Sequence, residues 1–427
     1  MRVFPTVNGH FQLVIQSFSY DDCEKDAAEA LLSAHIGSKL GVMAQPAGRM
    51  SLRDRTREEI FQIISSGHDL SRAALGERTG LPSSTIGHAV ARLLAEGRIS
   101  ESPAPSKGPG SGSGRPASLL NAVASTLRTG AIDFGHQHLR VALGDDAGNV
   151  LEEMVVRLDV AQSPARALEV AARTLSDLAA QHGVKQLACV AAGVPGPIEA
   201  TTGLVCSTTT LSNWSGMLPA RELEDRLGVP ALVRNDASIG ALGELRNGAG
   251  RGHRDFLYVK AAHGVGAGLV TNGELYQGGA GFAGEIGHII IPGRPELCRC
   301  GNRGCLEAVV SVPTVKQQIL HTHPQLDADQ LDMSSLDDPI TMRILNEVGR
   351  TLGAVLANLC DLVNPTLLVI GGELGTSGTA LIEGVRASLR RFAQPATTQV
   401  LEVVPASLGR RAEIVGAVQL AASFSHV

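Results

Sequence analysis

The sequence contains no uninterrupted apolar run approaching the roughly 18–20 residues that a membrane-crossing helix needs, so a helical membrane protein is not expected. Its first stretch, residues 1–16, carries one early arginine but no compact apolar segment ending in a small-residue cleavage site, so no secretory leader is read there. Net positive charge is also missing. The formal balance is −5, which taken alone argues against a nucleic-acid protein. Cysteine is scarce, with seven in 427 residues, and Cys23, Cys189, Cys206 and Cys360 stand alone as plain thiols. A cytoplasmic protein with no membrane partner is the expectation.

What is present points to several folded units. The length exceeds that of one ordinary domain. With 44% hydrophobic and 19% charged residues, the chain can bury a large core. Charge is unevenly spread: residues 51–116 hold nine Lys/Arg against seven Asp/Glu, leaving −7 for the remainder. Residues 1–50 show no clear periodicity, and read as an unstructured extension, a functional arm, or translation begun upstream of a true start at Met43 or Met50.

From 51 to 101 the pattern is helical. Ile60, Ile63 and Ile64 mark the inner face of a first helix, and Ser71 caps a second at 72–79, with Ala74 and Leu75 inward. Gly80-Leu81-Pro82 turns the chain, and Ser83 is placed to cap a third helix whose stripe is Ile86, Val90 and Leu93. Two short helices, a glycine turn and an amphipathic third helix make a helix-turn-helix, and Gly97-Arg98-Ile99-Ser100 begins the strand of a wing. The polar face of the third helix, Ser83, Ser84, Thr85, His88 and Arg92, is then left for the major groove of DNA. The alternative is a three-helix packing module that touches no DNA. Residues 102–117 have no apolar side chain larger than alanine and read as wing or linker. There Arg115, in Gly114-Arg115-Pro116, suits a narrow minor groove.

Residues 118–427 alternate strands and helices, as an α/β body does. Strands are expected at 130–134, 139–143, 187–194, 231–234, 256–259, 266–270 and 366–370, and helices at 164–181, 237–245 and 341–362. Two hairpins with glycine-rich turns, near 135 and 264, hint at a duplicated, two-lobed architecture.

Cys298-x-Cys300-x4-Cys305, with His288 nine intervening residues upstream, offers three thiolates and an imidazole. In a reduced compartment such bunching indicates metal rather than disulfides, and a Cys3His set defines a closed structural zinc site. Gly301 and Gly304 let the loop wrap tightly. Asp236, after a strand, reads from the residues alone as the cap of the 237–245 helix.

The stretch 259–311 resembles the signature region of the ROK family (Repressor, ORF, Kinase) nearly throughout. Together with the winged head and Gly-Arg-Pro, it resembles the repressor branch, of the xylose and N-acetylglucosamine repressor kind, from about residue 56 onward. The resemblance implies a two-lobed, actin-like (ribonuclease-H-like) ATPase fold with a cleft. It also implies that Asn235, Asp236, Glu285, His288 and Glu307 bind sugar hydroxyls, with Gly196 and Thr209 matching weaker positions in loops that close the cleft. In ROK kinases the aspartate matching Asp236 is the general base, and His288 would serve both zinc and sugar. Trp214, the single tryptophan, stacks on a sugar face or packs in the core.

The departures from the kinase pattern lie in the phosphate turns. ROK kinases carry Asp-x-Gly-Gly-Thr at the first hairpin, where this chain has Asp133-Phe134-Gly135-His136-Gln137. At the second, His263 replaces the usual threonine ahead of Gly264-Val265-Gly266-Ala267-Gly268, although Gly371-Gly372 near the expected adenosine site survives. Bulk stands where phosphate should sit, so no catalytic turnover is expected. The leading expectation is a sugar-responsive DNA-binding regulator, a repressor, acting as a homodimer or homotetramer on a palindromic operator. Two alternatives are a ROK sugar kinase with an added DNA-binding head, and a DNA binder whose pocket serves only assembly.

Overall fold

The computed structural model describes residues 52–66, 70–103, 118–123, 127–206, 212–327 and 331–424. The extension at 1–50, Arg115 and Thr209 lie outside the described residues. Helix α1 (Leu52–Ser66), strand β1 (Leu70–Ser71), helices α2 (Arg72–Thr79) and α3 (Ser83–Ala95), and strands β2 (Ile99–Pro103) and β3 (Ser118–Ala122) form one cluster. Helix α2 has the expected bounds because its ends are chemically marked. The Ser71 hydroxyl accepts the Ala74 N–H at 3.2 Å, and Gly80 closes the helix at φ 68°. Ser83 does not cap α3. Pro82 takes that position, with φ −58° matched to its ring, and the serine falls in the first turn, exposed.

Ile60, Ile64, Leu75, Ile86, Val90 and Leu93 are buried as the spacing requires. Phe61 joins them, covered by the Arg98 guanidinium 3.7 Å above its ring. Strand β3 follows the Gly/Ser/Pro segment, yet it pairs antiparallel with both β1 and β2 and puts Leu120 into this core. The segment 104–117 therefore joins two strands of one sheet.

The body contains two five-stranded sheets of the same design. The first has order β6-β5-β4-β7-β8, from β4 (Arg128–Phe134), β5 (His138–Asp145), β6 (Val150–Arg157), β7 (Val190–Val194) and β8 (Ala231–Asn235). The second has order β11-β10-β9-β12-β13, from β9 (Phe256–Ala261), β10 (Val265–Thr271), β11 (Glu274–Tyr276), β12 (Leu367–Gly371) and β13 (Glu402–Pro405). In each, three antiparallel strands are followed by two parallel ones. The repeat expected from the two glycine-rich turns is thus a repeat of whole sheets.

Helices α4 (Pro164–Gln181) and α5 (Pro219–Leu227) cover the first sheet. Trp214 is fully buried there, edge-on to Phe134 with its indole N–H donated to the Val160 carbonyl at 3.0 Å; it is a core residue. The second sheet is covered by α7 (Leu306–Val310), α8 (Val312–Thr322), α9 (Pro339–Val363) and α10 (Thr379–Phe392).

Between the sheets lie α6 (Asp236–Asn247), resting on β9 and β10, and α11 (Ala412–Phe424), resting on β4, β5 and β7. They cross backbone to backbone. A Cβ added to Gly416 would collide with the Ile239 carbonyl oxygen, and one added to Gly243 with that of Ala412. Because the obstacles are backbone, Gly416→Ala should force the helices apart and lower stability by about 1–3 kcal/mol. Gly87 in α3 has open space around it, so Gly87→Ala should raise stability by about 0.5–1 kcal/mol. Denaturant unfolding of the two variants measures both; equal effects would remove the close crossing as the cause.

Candidate functional site

Acidic groups gather where the two sheets approach each other, and the ends of β8 and β9 bring them together. Asn235 ends β8 and caps α6: its side-chain oxygen accepts the Ser238 N–H at 3.1 Å, and its amide donates to the Gly196 carbonyl at 3.0 Å. The cap is therefore Asn235, not Asp236, which leaves Asp236 for other work. Its Oδ1 accepts the Ala237 N–H at 2.8 Å. Its Oδ2 accepts from the Lys260 ammonium at 2.9 Å, and the same ammonium lies 3.3 Å from Glu413.

Lys260 is a residue that sequence reasoning missed. The signal was a lysine inside the otherwise apolar strand Phe256–Ala261. Burial alone would lower its pKa, but Asp236, Glu413 and Asp133 outweigh it and raise the value, so it is a permanent cation. Burial would raise the Asp133 carboxyl, yet a hydrogen bond from His138 at 3.3 Å and the Lys260 charge bring it below its ordinary value. Asp133 Oδ1 is buried with no hydrogen-bond partner among the described residues. Burial raises Glu413, which accepts from the Tyr258 hydroxyl at 3.2 Å.

Glu307, in the first turn of α7, accepts the Val265 N–H at 3.1 Å. A Cβ on Gly264 would come within 2.9 Å of its carboxylate, so the glycine permits this approach. Glu285 stands between: burial first, then the charges of Asp236 and Glu307, push it up to about 7. The structure thus gathers Gly196, Asn235, Asp236, Glu285 and Glu307 into one cluster.

The two hairpin turns also meet one another. His136, between β4 and β5, and His263, between β9 and β10, stack with ring centroids 3.4 Å apart and planes 14° from parallel. Arg299 donates to His263 Nε2 at 3.1 Å. Burial and the neighbouring charges hold both imidazoles neutral, His263 down to about 3.

Arg299 lies within the cysteine loop. There His288, Cys298, Cys300 and Cys305 present ligand atoms that all fall within 4.8 Å of one another, a set that could hold a metal ion. Cys298 Sγ is 3.7 Å from His288 Nδ1, and Cys300 Sγ is 3.5 Å from Cys305 Sγ. The loop is stitched by Cys298 N–H to Asn302 O at 2.8 Å and Ile291 N–H to Gly304 O at 2.7 Å. Burial and the other two thiols push Cys305 up to about 12, a cost that a bound divalent cation would reverse.

In the head, Ser83, Ser84, His88 and Arg92 are exposed on α3 and Thr85 is half-buried. Arg92 is paired with Glu96 at 3.0 Å.

The displaced Glu285 makes stability depend on pH. Its folded value of about 7 lies above the ordinary 4.5, so the folded state holds the proton more tightly. Stability falls as pH rises from about 4.5 to about 7 and then levels off. Glu285→Gln removes that cost, up to about 1–3 kcal/mol. The variant should therefore melt several degrees above wild type near pH 8 and close to it near pH 5. Thermal unfolding across that range decides, and an offset independent of pH would contradict the assignment.

Comparison with known proteins places this architecture. The "Xylose repressor" of Bacillus spizizenii is 28% identical over 360 residues, covering 84% of this chain and 92% of the relative. The "Glucokinase" of Halalkalibacterium halodurans is 30% identical over 304 residues, covering 67% of this chain and 92% of its own. A crystal structure of a ROK family transcriptional regulator, a homologue of the E. coli Mlc protein, shares the fold. Its TM-score is 0.68 at 24% identity, over 88% of this chain and 97% of that one. The profile of the ROK family matches residues 129–423, and the chain belongs to that family.

Proposed function

We propose that the protein is a sugar-responsive transcriptional repressor. One observation carries this reading: a helical cluster with an exposed, polar α3 precedes, in one chain, a cleft gathering Asn235, Asp236, Glu285 and Glu307. The names of the relatives support it, since repressors match across both parts.

In this reading residues 51–101, completed by strand β3 (Ser118–Ala122), form a winged helix-turn-helix, 102–117 its wing, and the sugar-binding body, expected from residue 118, begins after β3 and runs to 427. Residues 1–50 remain an extension. Ser83, Ser84, Thr85, His88 and Arg92 face the major groove, where the free N–H groups of the α3 N-terminus favour phosphate. Arg115 enters the minor groove. The repressor acts as a homodimer or homotetramer, because one helix-turn-helix reads too few base pairs for useful specificity. Gly196, Thr209, Asn235, Asp236, Glu285, His288 and Glu307 hold the sugar, each carboxylate pairing with neighbouring hydroxyls.

The body senses rather than turns over its ligand. A general base needs a carboxylate free to take a proton, whereas both Asp236 oxygens are engaged, one by the Lys260 ammonium. A sugar kinase with an added head is the second reading, and the retention of Asp236 at the head of α6 favours it.

Zinc is the metal proposed for the Cys3His cluster. Tetrahedral zinc with bonds of about 2.3 Å to sulfur sets sulfurs about 3.8 Å apart, close to the spacing of Cys300 and Cys305. When bound, the ion ties the 288–305 loop together and orients His288 toward the cleft. Purified protein should carry about one zinc per chain, and Cys300→Ser should lose it and melt earlier. Elemental analysis finding no zinc in reduced, chelator-free protein would contradict the assignment.

Sugar can act on DNA only by favouring one arrangement of the lobes. Ligand that prefers the closed form by about 10- to 100-fold supplies roughly 1.4–2.8 kcal/mol of coupling, and operator must change sugar affinity by the same factor. An operator duplex selected from a random-sequence pool, titrated with and without sugar, should show this factor in both directions. Asp236→Asn should abolish it. Tight sugar binding that moves neither affinity would refute the repressor reading.

A further inference from the structure

Each lobe sends one hairpin turn into the cleft, and the two turns are built alike. In the first, Asp133 precedes His136 by three residues; in the second, Lys260 precedes His263 by three. The duplicated sheets therefore bring like positions face to face. The imidazoles stack at 3.4 Å, and behind them the Lys260 charge acts on Asp133. The lobes meet through side chains at the place where a phosphate turn requires open space for backbone N–H groups.

A phosphate arriving there meets two stacked rings rather than a cradle of backbone N–H groups. Lys260 is held by Asp236 at 2.9 Å and Glu413 at 3.3 Å, and Arg299 is held by His263 at 3.1 Å. The rings themselves are neutral, through burial and the Arg299 charge. Asp236 and Glu307 both act on Glu285, so an anion reaching that cluster would meet like charge. A neutral polyol meets acceptors instead, which is what hydroxyl groups need.

We propose that the stacked His136–His263 pair is a selectivity wall that admits unphosphorylated sugars to the carboxylate cluster and excludes sugar phosphates and nucleoside triphosphates. The identity of the ligand as a sugar rests on the sensor reading above; the wall itself does not. Discrimination of this kind works by obstruction and charge against the wrong ligand as much as by contact with the right one.

The test is calorimetry on the full chain with glucose, xylose and N-acetylglucosamine, with glucose 6-phosphate and N-acetylglucosamine 6-phosphate, and with magnesium AMPPNP. Wild type should bind at least one free hexose, and that sugar about tenfold or more tighter than its 6-phosphate, and should not bind AMPPNP at millimolar concentration. His136→Gly combined with His263→Thr should bind AMPPNP and narrow the phosphate discrimination by about tenfold. His263→Thr alone provides a milder opening should the double variant melt early. Wild-type protein that binds AMPPNP, or binds a 6-phosphate as tightly as its free sugar, overturns the proposal. So does a folded variant that still excludes AMPPNP. If no sugar in the panel binds, the sensor reading fails while the AMPPNP arm still decides the wall.

Discussion

The body depends on two glycines. Gly243 and Gly416 allow α6 and α11 to cross with their backbones touching, and each helix lies on the sheet of a different lobe. That crossing is the joint through which the lobes are held. It also fixes where chemistry can occur, because α6 begins at Asp236 and α11 carries Glu413 one residue inside its start. A joint made of backbone contacts has no room for a methyl group.

What fills the cleft is an electrostatic problem solved from within. Asp236 and Glu413 pair with one ammonium, that of Lys260, and its charge also acts on Asp133. Removing such a buried cation would leave carboxylates facing one another, a far larger penalty than the pairing itself contributes. The same lysine engages one oxygen of Asp236 at the start of α6.

Much of this was legible in the residues. Ser71 and Gly80 marked α2 to the residue, the stripe Ile86, Val90 and Leu93 is buried, and three closely spaced cysteines with His288 converge as their spacing implied. Local chemistry writes such features into contiguous sequence. What was not legible depends on partners distant along the chain. Lys260 meets Asp236 and Glu413 only after both lobes are assembled, and His136 and His263 become neighbours only across the cleft. Helix caps failed for a local reason: Asn235 and Asp236, or Pro82 and Ser83, are both plausible, and backbone angle chooses between them.

The placement of β3 has a consequence for how this family's parts could be exchanged. The Gly/Ser/Pro stretch looks like a seam, the place to cut off a head or swap it for another. Since 104–117 connects β2 to β3, and β3 is the middle strand of the head's sheet, a cut there would leave that strand on the body. The severed head would keep its helices and lose Leu120 from its core, along with every strand pairing that β1 and β2 make in that sheet. The module that recombination must move intact ends at Ala122, with only five residues between it and β4. Grafting would thus succeed or fail on a seam of that length, not on the long tract that advertises itself as one.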